Sequence, residues 1–281
     1  MHLILRKTLR KTSFNYAIFH FTFLVQFATL LIVKFKVLFL FIIVCSICRA
    51  DIIQFDASAS DSILVTNISK VVSWRSVNSP TILSPVHENS SLWSQPRLES
   101  RRICFNDASP LEFAGADTNL YNKIIVVADC NSLMPWSTLI DTIPALTANP
   151  VAFSNDVFTF STTNCIGSSS IIINGDESAE IPINSNFIVE FVLSSPTSLN
   201  NIFFGGSPAT PNWNRSWEGC IYELLLLNES LTEQQYSALY TYLSIKYKIE
   251  VSVPVCVDSY DILKELGVKA GSVFTTIILW R

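Results

Sequence analysis

The feature that most restricts the fold is a series of short apolar runs that fills the chain after Ala50. They read IIQF, SILVT, KVVSW, RICF, KIIVVA, DVFTFST, SIIIN, NFIVEFVL, NIFF and CIYELLLL. β-Branched and aromatic residues dominate them, and turn-forming residues interrupt them at intervals of roughly ten residues. Runs this short suit strands better than helices, and their spacing is that of an all-β sandwich or barrel. Within NFIVEFVL, alternation puts Phe187, Val189 and Phe191 on one face and Ile188, Glu190 and Val192 on the other. A lone Glu190 on such a strand is expected on a solvated outer face. Asn174-Gly175 separates two apolar stretches, and Asn-Gly accepts positive φ at both central turn positions, so a tight hairpin is predicted there. Residues 78–101 are polar and punctuated by proline, which reads as a long surface connection.

One stretch departs from this pattern. LTEQQYSALYTYLSIKYKI, residues 231–249, reads as a single helix. Thr232 and Gln235 have the spacing of a capping box, and Leu231 and Tyr236 that of a hydrophobic staple. Tyr236, Leu239, Tyr240, Leu243 and Tyr247 follow one helix face, the pattern of core packing against a sheet. Glu233 near the start, and Lys246 and Lys248 near the end, suit the helix dipole.

The first 50 residues differ in kind. They hold seven of the 19 basic residues (Arg6, Lys7, Arg10, Lys11, Lys34, Lys36, Arg49) and none of the 23 acidic ones. The remainder therefore carries a net charge of −11. No basic stripe survives there to hold phosphates, which argues against a nucleic-acid partner. VLFLFIIVCSICRA has the charged start, apolar core and small-residue end of a secretory signal. The preceding run, residues 14–33, is long enough to cross a bilayer. Residues 1–50 thus read as a signal peptide with a long start, as an uncleaved N-terminal membrane anchor, or as a membrane hairpin. A secreted or cell-surface location is expected, with a membrane partner through this segment if it stays uncleaved.

Past Ala50 there are five cysteines: Cys104, Cys130, Cys165, Cys220 and Cys256. An odd number cannot all pair within one chain, and their pairing is left open. No CxxC spacing occurs among them, which argues against a zinc site. N-x-S/T sequons at Asn67, Asn89, Asn214 and Asn228 permit glycosylation on a eukaryotic secretory route.

Two segments together resemble a known family. In WEGCIYELLLLNESLTEQQYSALYTYLSIKY, residues Gly219, Ile221, Glu223, Asn228, Leu231, Thr232, Tyr242, Leu243, Lys246 and Tyr247 fall on the C-terminal pattern of laminin-G-like, concanavalin A-like jelly-roll domains. Phe55-Asp56-Ala57-Ser58 and Val71-Val72-Ser73-Trp74 are similar to its opening strands, although Ser76 stands where the family has Asp. Asn174-Gly175 and Ile202-Phe203-Phe204-Gly205 are similar to its later hairpin and strand. The resemblance implies two packed antiparallel sheets with a C-terminal amphipathic helix over residues 51–250. Residues 251–281 lie outside it and are expected as a tail or a truncated second domain, with a faint likeness to the opening of a fibrinogen-like domain.

Catalysis has little support in the residues. Glycoside hydrolysis needs two carboxylates across one bond, about 5–5.5 Å apart for retention. No E-x-D-x-E strand is present, and Asp176, Glu177 and Glu180 follow a turn. His87 is the one histidine past the N-terminal segment, and it lies in a polar connection. Binding suits the chain better. GGSPATPNWNRSWEG offers Trp213, Asn214 and Trp217, an aromatic and amide set suited to a sugar ring and its hydroxyls. The expectation is a non-catalytic recognition or adhesion module for carbohydrate or extracellular protein. A ligand-free structural module is the first alternative and a glycoside hydrolase the second. No cofactor is expected. Calcium is the one candidate ion, with oxygens from Asn106 and Asp107 and from Asp117.

Overall fold

The computed structural model describes residues 52–66, 68–86, 94–106, 108–113, 115, 118–132, 137–142, 152–153, 168–206 and 216–270. The chain divides into two units, Met1–Arg49 and Ala50–Arg281, and the described residues all belong to the second.

The short apolar runs become strands of two sheets, except DVFTFST, which lies outside the described residues. The first sheet runs in the order β12 (Asp176–Glu177), β11 (Ser168–Ile173), β13 (Asn186–Ser198), β8 (Leu120–Asp129), β15 (Cys220–Leu227), β6 (Arg102–Cys104) and β5 (Arg97–Glu99); β1 (Ile52–Asp56) also pairs with β15. The second runs β10 (Ala152–Phe153), β9 (Thr138–Thr142), β14 (Ile202–Phe204), β7 (Leu111–Phe113), β4 (Ile82–Pro85), β3 (Val71–Arg75) and β2 (Ile63–Val65). Every pair among these strands is antiparallel. Asn174 (φ 53°) and Gly175 (φ 93°) form the tight turn between β11 and β12 that their sequence demands.

The central strands of the first sheet, β13, β8 and β15, are buried on both faces, and this explains their continuous apolar runs. Ile124, Val126 and Ala128 of β8 point into a core shared with Trp74 and Leu83 of the second sheet. Ile125 and Val127 point the other way, into a core under two helices, α1 (Glu233–Tyr247) and α2 (Ser259–Glu265). In β15, a register shift between Ile221 and Glu223 sets the alternation. Leu224 and Leu226 face the inter-sheet core, and Leu225 and Leu227 face the helices. A strand covered on both sides loses the polar half of the period-two pattern.

α1 begins as its sequence indicates. Thr232 Oγ1 accepts from Gln235 N (3.2 Å), and Thr232 N donates to Gln235 Oε1 (3.0 Å). Its buried face differs from the five-residue stripe: Ala238, Thr241 and Tyr242 are buried with Leu239, Tyr240 and Leu243, and Tyr236 and Tyr247 are half-buried.

Three expectations change. Glu190 is fully buried, because α1 covers that face of β13. Residues 78–101 do not form a simple surface connection: they contain β4 and β5, and Leu83 is fully buried in the inter-sheet core. Residues 251–270 are packed: Leu263, Leu266, Val268 and Ala270 enter the helix-side core. The end of the chain, residues 271–281, lies outside the described residues.

Candidate functional site

Acidic side chains of the first sheet fall into three polar clusters. The largest lies under α1. Asp56 and Glu223 face each other across the β1–β15 pair, and Lys246 reaches down from α1 between them. Its Nζ donates to Asp56 Oδ2 (2.7 Å), Glu223 Oε2 (2.8 Å) and the Tyr242 hydroxyl (2.9 Å). Two carboxylates share one ammonium, so neutral donors supply the remaining compensation. Gln54 Nε2 donates to Glu223 Oε1 (2.6 Å), Tyr247 donates its hydroxyl to Glu223 Oε2 (2.7 Å), and Ser58 Oγ donates to Asp56 Oδ1 (2.7 Å). The C-terminal segment closes the cluster through Lys269 N, which donates to Gln54 Oε1 (2.8 Å). Burial, and then the neighbouring Glu223 charge, push the Tyr242 and Tyr247 phenols up.

The second cluster holds Glu190, which Lys123 Nζ meets at 2.6 Å. The Tyr236 and Tyr240 rings lie 4.6 Å apart beside it, and Lys123 stands 5.6 Å from the Tyr236 centroid. In the third, Asp129 accepts from Arg102 Nη1 (2.6 Å), Tyr222 (2.8 Å) and Cys220 N (2.8 Å). These groups brace helix to sheet and strand to strand. Lys246 occupies the space between Asp56 and Glu223, so this close pair has no room for a glycosidic bond.

Next to the third cluster, Cys104 and Cys220 form a disulfide between directly opposed residues of β6 and β15. Cys130 is buried and free, and Cys256 is half-buried and free. Burial, and then the nearby Asp129 charge, push the Cys130 thiol up to about 12. Cys165 lies outside the described residues.

The sequence-nominated loop is only partly described. Trp217 is fully buried. Its Nε1 donates to the Asp129 carbonyl (2.8 Å), and its ring meets Phe187 edge-on at 6.5 Å. Gly219 has no room for a side chain, because a Cβ there would collide with that same Asp129 carbonyl and with the Trp217 indole. Trp217 is thus a core residue and presents no face to a ligand. Trp213 and Asn214 lie outside the described residues, as do Asn67, Asn89, His87, Asp107 and Asp117. Among the described residues, no group of three or more His, Cys, Asp or Glu is arranged to hold a metal ion.

The surface feature with ligand-like chemistry is elsewhere, and the sequence reading missed it. A cleft of about 340 Å³ is lined by Ile52 and Ile53 of β1, the β3–β4 turn from Asn78 to Thr81, Phe113 of β7, Asn119 and Tyr121, and Asn228 just beyond β15. Asn78 fixes the turn: its Nδ2 donates to Ile52 O (2.7 Å), and its Oδ1 accepts from Gln54 N (2.9 Å) and Ser76 Oγ (2.8 Å). Ser79 Oγ donates to Thr81 Oγ1 (2.8 Å). Among the described residues, the lining carries three amides, with that of Asn78 committed to the turn, three hydroxyls and the Phe113 and Tyr121 rings, and no carboxylate, ammonium or guanidinium. Amides both donate and accept, so they match ligand hydroxyls without demanding charge. The volume falls at the lower end of the range for small-molecule sites, about 300–1,000 Å³. The lining comes from five separate places in the chain, and no local motif announces it.

No protein-family model matches this chain, nor does any curated protein or solved structure. What defines the molecule is its own architecture: an all-β fold of two antiparallel sheets, one of them backed by helices.

Proposed function

We propose that residues 51–270 form an exported, non-catalytic recognition module of the concanavalin A-like jelly-roll kind, which binds a neutral saccharide in the Asn78–Asn119–Asn228 cleft. The carrying observation is the lining: amides, hydroxyls and two aromatic rings, with no charged side chain among the described residues, in a domain that is otherwise acidic. Such a lining suits a polyhydroxylated ligand better than a phosphate or carboxylate, which would need a cation. Export is supported by the Cys104–Cys220 bond, since disulfides persist in oxidising compartments, together with the signal-like N-terminal sequence.

A glycan array probed with the secreted chain tests this reading. Asn119→Ala should weaken binding of any captured saccharide by about tenfold, the worth of one good hydrogen bond. If Trp213→Ala abolishes binding and Asn119→Ala does not, the site is the loop around Trp213. Absence of binding to any glycan or matrix extract would leave a ligand-free structural module. Release of reducing sugar from a β-glucan would point to the hydrolase reading.

A further inference from the structure

The cleft has a second property. Asn228, one of its walls, is the acceptor position of the sequon Asn228-Glu229-Ser230. β15 ends at Leu227 and α1 begins after the Thr232 cap, so the sequon occupies the bend between them. Asn228 is half-buried and Ser230 exposed. Ile52 opposes Leu227 across the β1–β15 pair, and Lys123 opposes Leu227 across β8–β15, so Asn228 stands at the mouth where three strands converge.

We propose that Asn228 is N-glycosylated and that its glycan lies across the cleft, so that an external saccharide enters only the unmodified form. This rests on the cleft being the recognition site. In the modification, the Asn228 amide nitrogen attacks the anomeric carbon of a lipid-diphosphate-linked oligosaccharide in the secretory lumen. The C–N bond forms, the bond from that carbon to the diphosphate oxygen breaks, one amide proton is lost, and the lipid diphosphate leaves. No oxidation occurs. An oligosaccharide anchored on the cleft wall is held at high effective concentration over a lining whose amides and hydroxyls suit saccharide hydroxyls. It is also a bulky group in a space of about 340 Å³.

The sequon can be removed without touching the lining, because Ser230 is not part of it. The full chain and its Ser230→Ala variant are secreted from a eukaryotic host, each also carrying Asn119→Cys as a reporter on the cleft wall. Intact-mass and peptide mapping give glycan occupancy at Asn228. The rate at which a small maleimide modifies position 119, read on its own peptide, gives access to the cleft. Matching thermal unfolding curves establish that both proteins are folded. The proposal expects Asn228 to be occupied, and labelling to rise several-fold in Ser230→Ala and, equally, after enzymatic deglycosylation of the parent. An unoccupied Asn228, or equal labelling rates, overturns it. Neither readout uses a ligand. If labelling responds and a Ser230→Ala protein that keeps Asn119 still binds no saccharide, the recognition reading falls and the covering glycan stands.

Discussion

Lys246 shows how much one side chain can hold in this molecule. It joins α1 to two strands by neutralising Asp56 and Glu223 together, with about a tenth of its side chain exposed. Removing one member of a buried pair leaves uncompensated charge, at a cost of about 3–5 kcal/mol. Lys246→Met should therefore lower the unfolding free energy by about 3 kcal/mol or more, measured by urea denaturation. Glu223→Gln in the same chain should recover part of the loss, because the two residues share one network and their effects are not additive. A simple sum of the two single losses would show that the ion pair contributes nothing specific. Cys130 differs from Cys256 in the same physical sense. Burial keeps the Cys130 thiol protonated at pH 8, so a thiol reagent should modify Cys256 in the native protein and reach Cys130 only after unfolding. Peptide mapping after a short pulse of reagent reads this directly.

The same contrast between local and distant causes governs the elements. α1 was legible because its determinants are local: the Thr232–Gln235 box, the Tyr236–Tyr247 stripe and the basic last turn lie within 16 residues. The Asn174-Gly175 hairpin was legible for the same reason. Glu190 and Glu223 were not, because their burial depends on a helix that arrives later in the chain and covers their face of the sheet. β4 was hidden by prolines, Pro80 just before it and Pro85 as its last residue. α2 left a weak trace that could have been read: Leu263 and Leu266 lie three apart, and Gly267 (φ 75°) ends the turn. The cleft left none, since no stretch contributes more than four of its lining residues. The docking of α2 has a practical consequence. A chain ending at residue 250, where the family resemblance ends, loses Leu263, Leu266 and Val268 from the helix-side core and the Lys269–Gln54 bond. It should be less stable than one ending at residue 270. Within the longer chain, Leu263→Ala alone should cost about 2–5 kcal/mol, the usual range for a buried leucine. Unfolding midpoints at matched slope check both statements.

At the scale of the whole molecule, two features tie distant parts of the chain together: the tyrosine-lined cluster layer under α1 and the Cys104–Cys220 bond. The first makes stability depend on alkaline pH. Burial, followed by Glu190 or Glu223, raises the phenols of Tyr236, Tyr240, Tyr242 and Tyr247, and burial raises Cys130. The unfolded chain gives up these protons near the ordinary values of 9.0 for the thiol and 10.0 for the phenols, while the folded chain keeps them. The stabilisation is therefore complete below about pH 9 and is lost as pH rises beyond it, because there the unfolded state binds fewer protons. A melting temperature that stays flat between pH 9 and 11 would contradict this. The disulfide acts instead on the unfolded ensemble. It closes a loop between residues 116 positions apart, joining β6, which lies next to the edge strand β5, to the central β15. Chain-entropy arguments put the stabilisation from a loop of that size at about 4–5 kcal/mol. The Cys104→Ser/Cys220→Ser double variant should lose most of that in urea unfolding under non-reducing conditions. The wild-type chain should fall to the same value once reductant is added. A small loss in the double variant, with a large effect of reductant on the wild type, would place the stabilising bond at another cysteine pair.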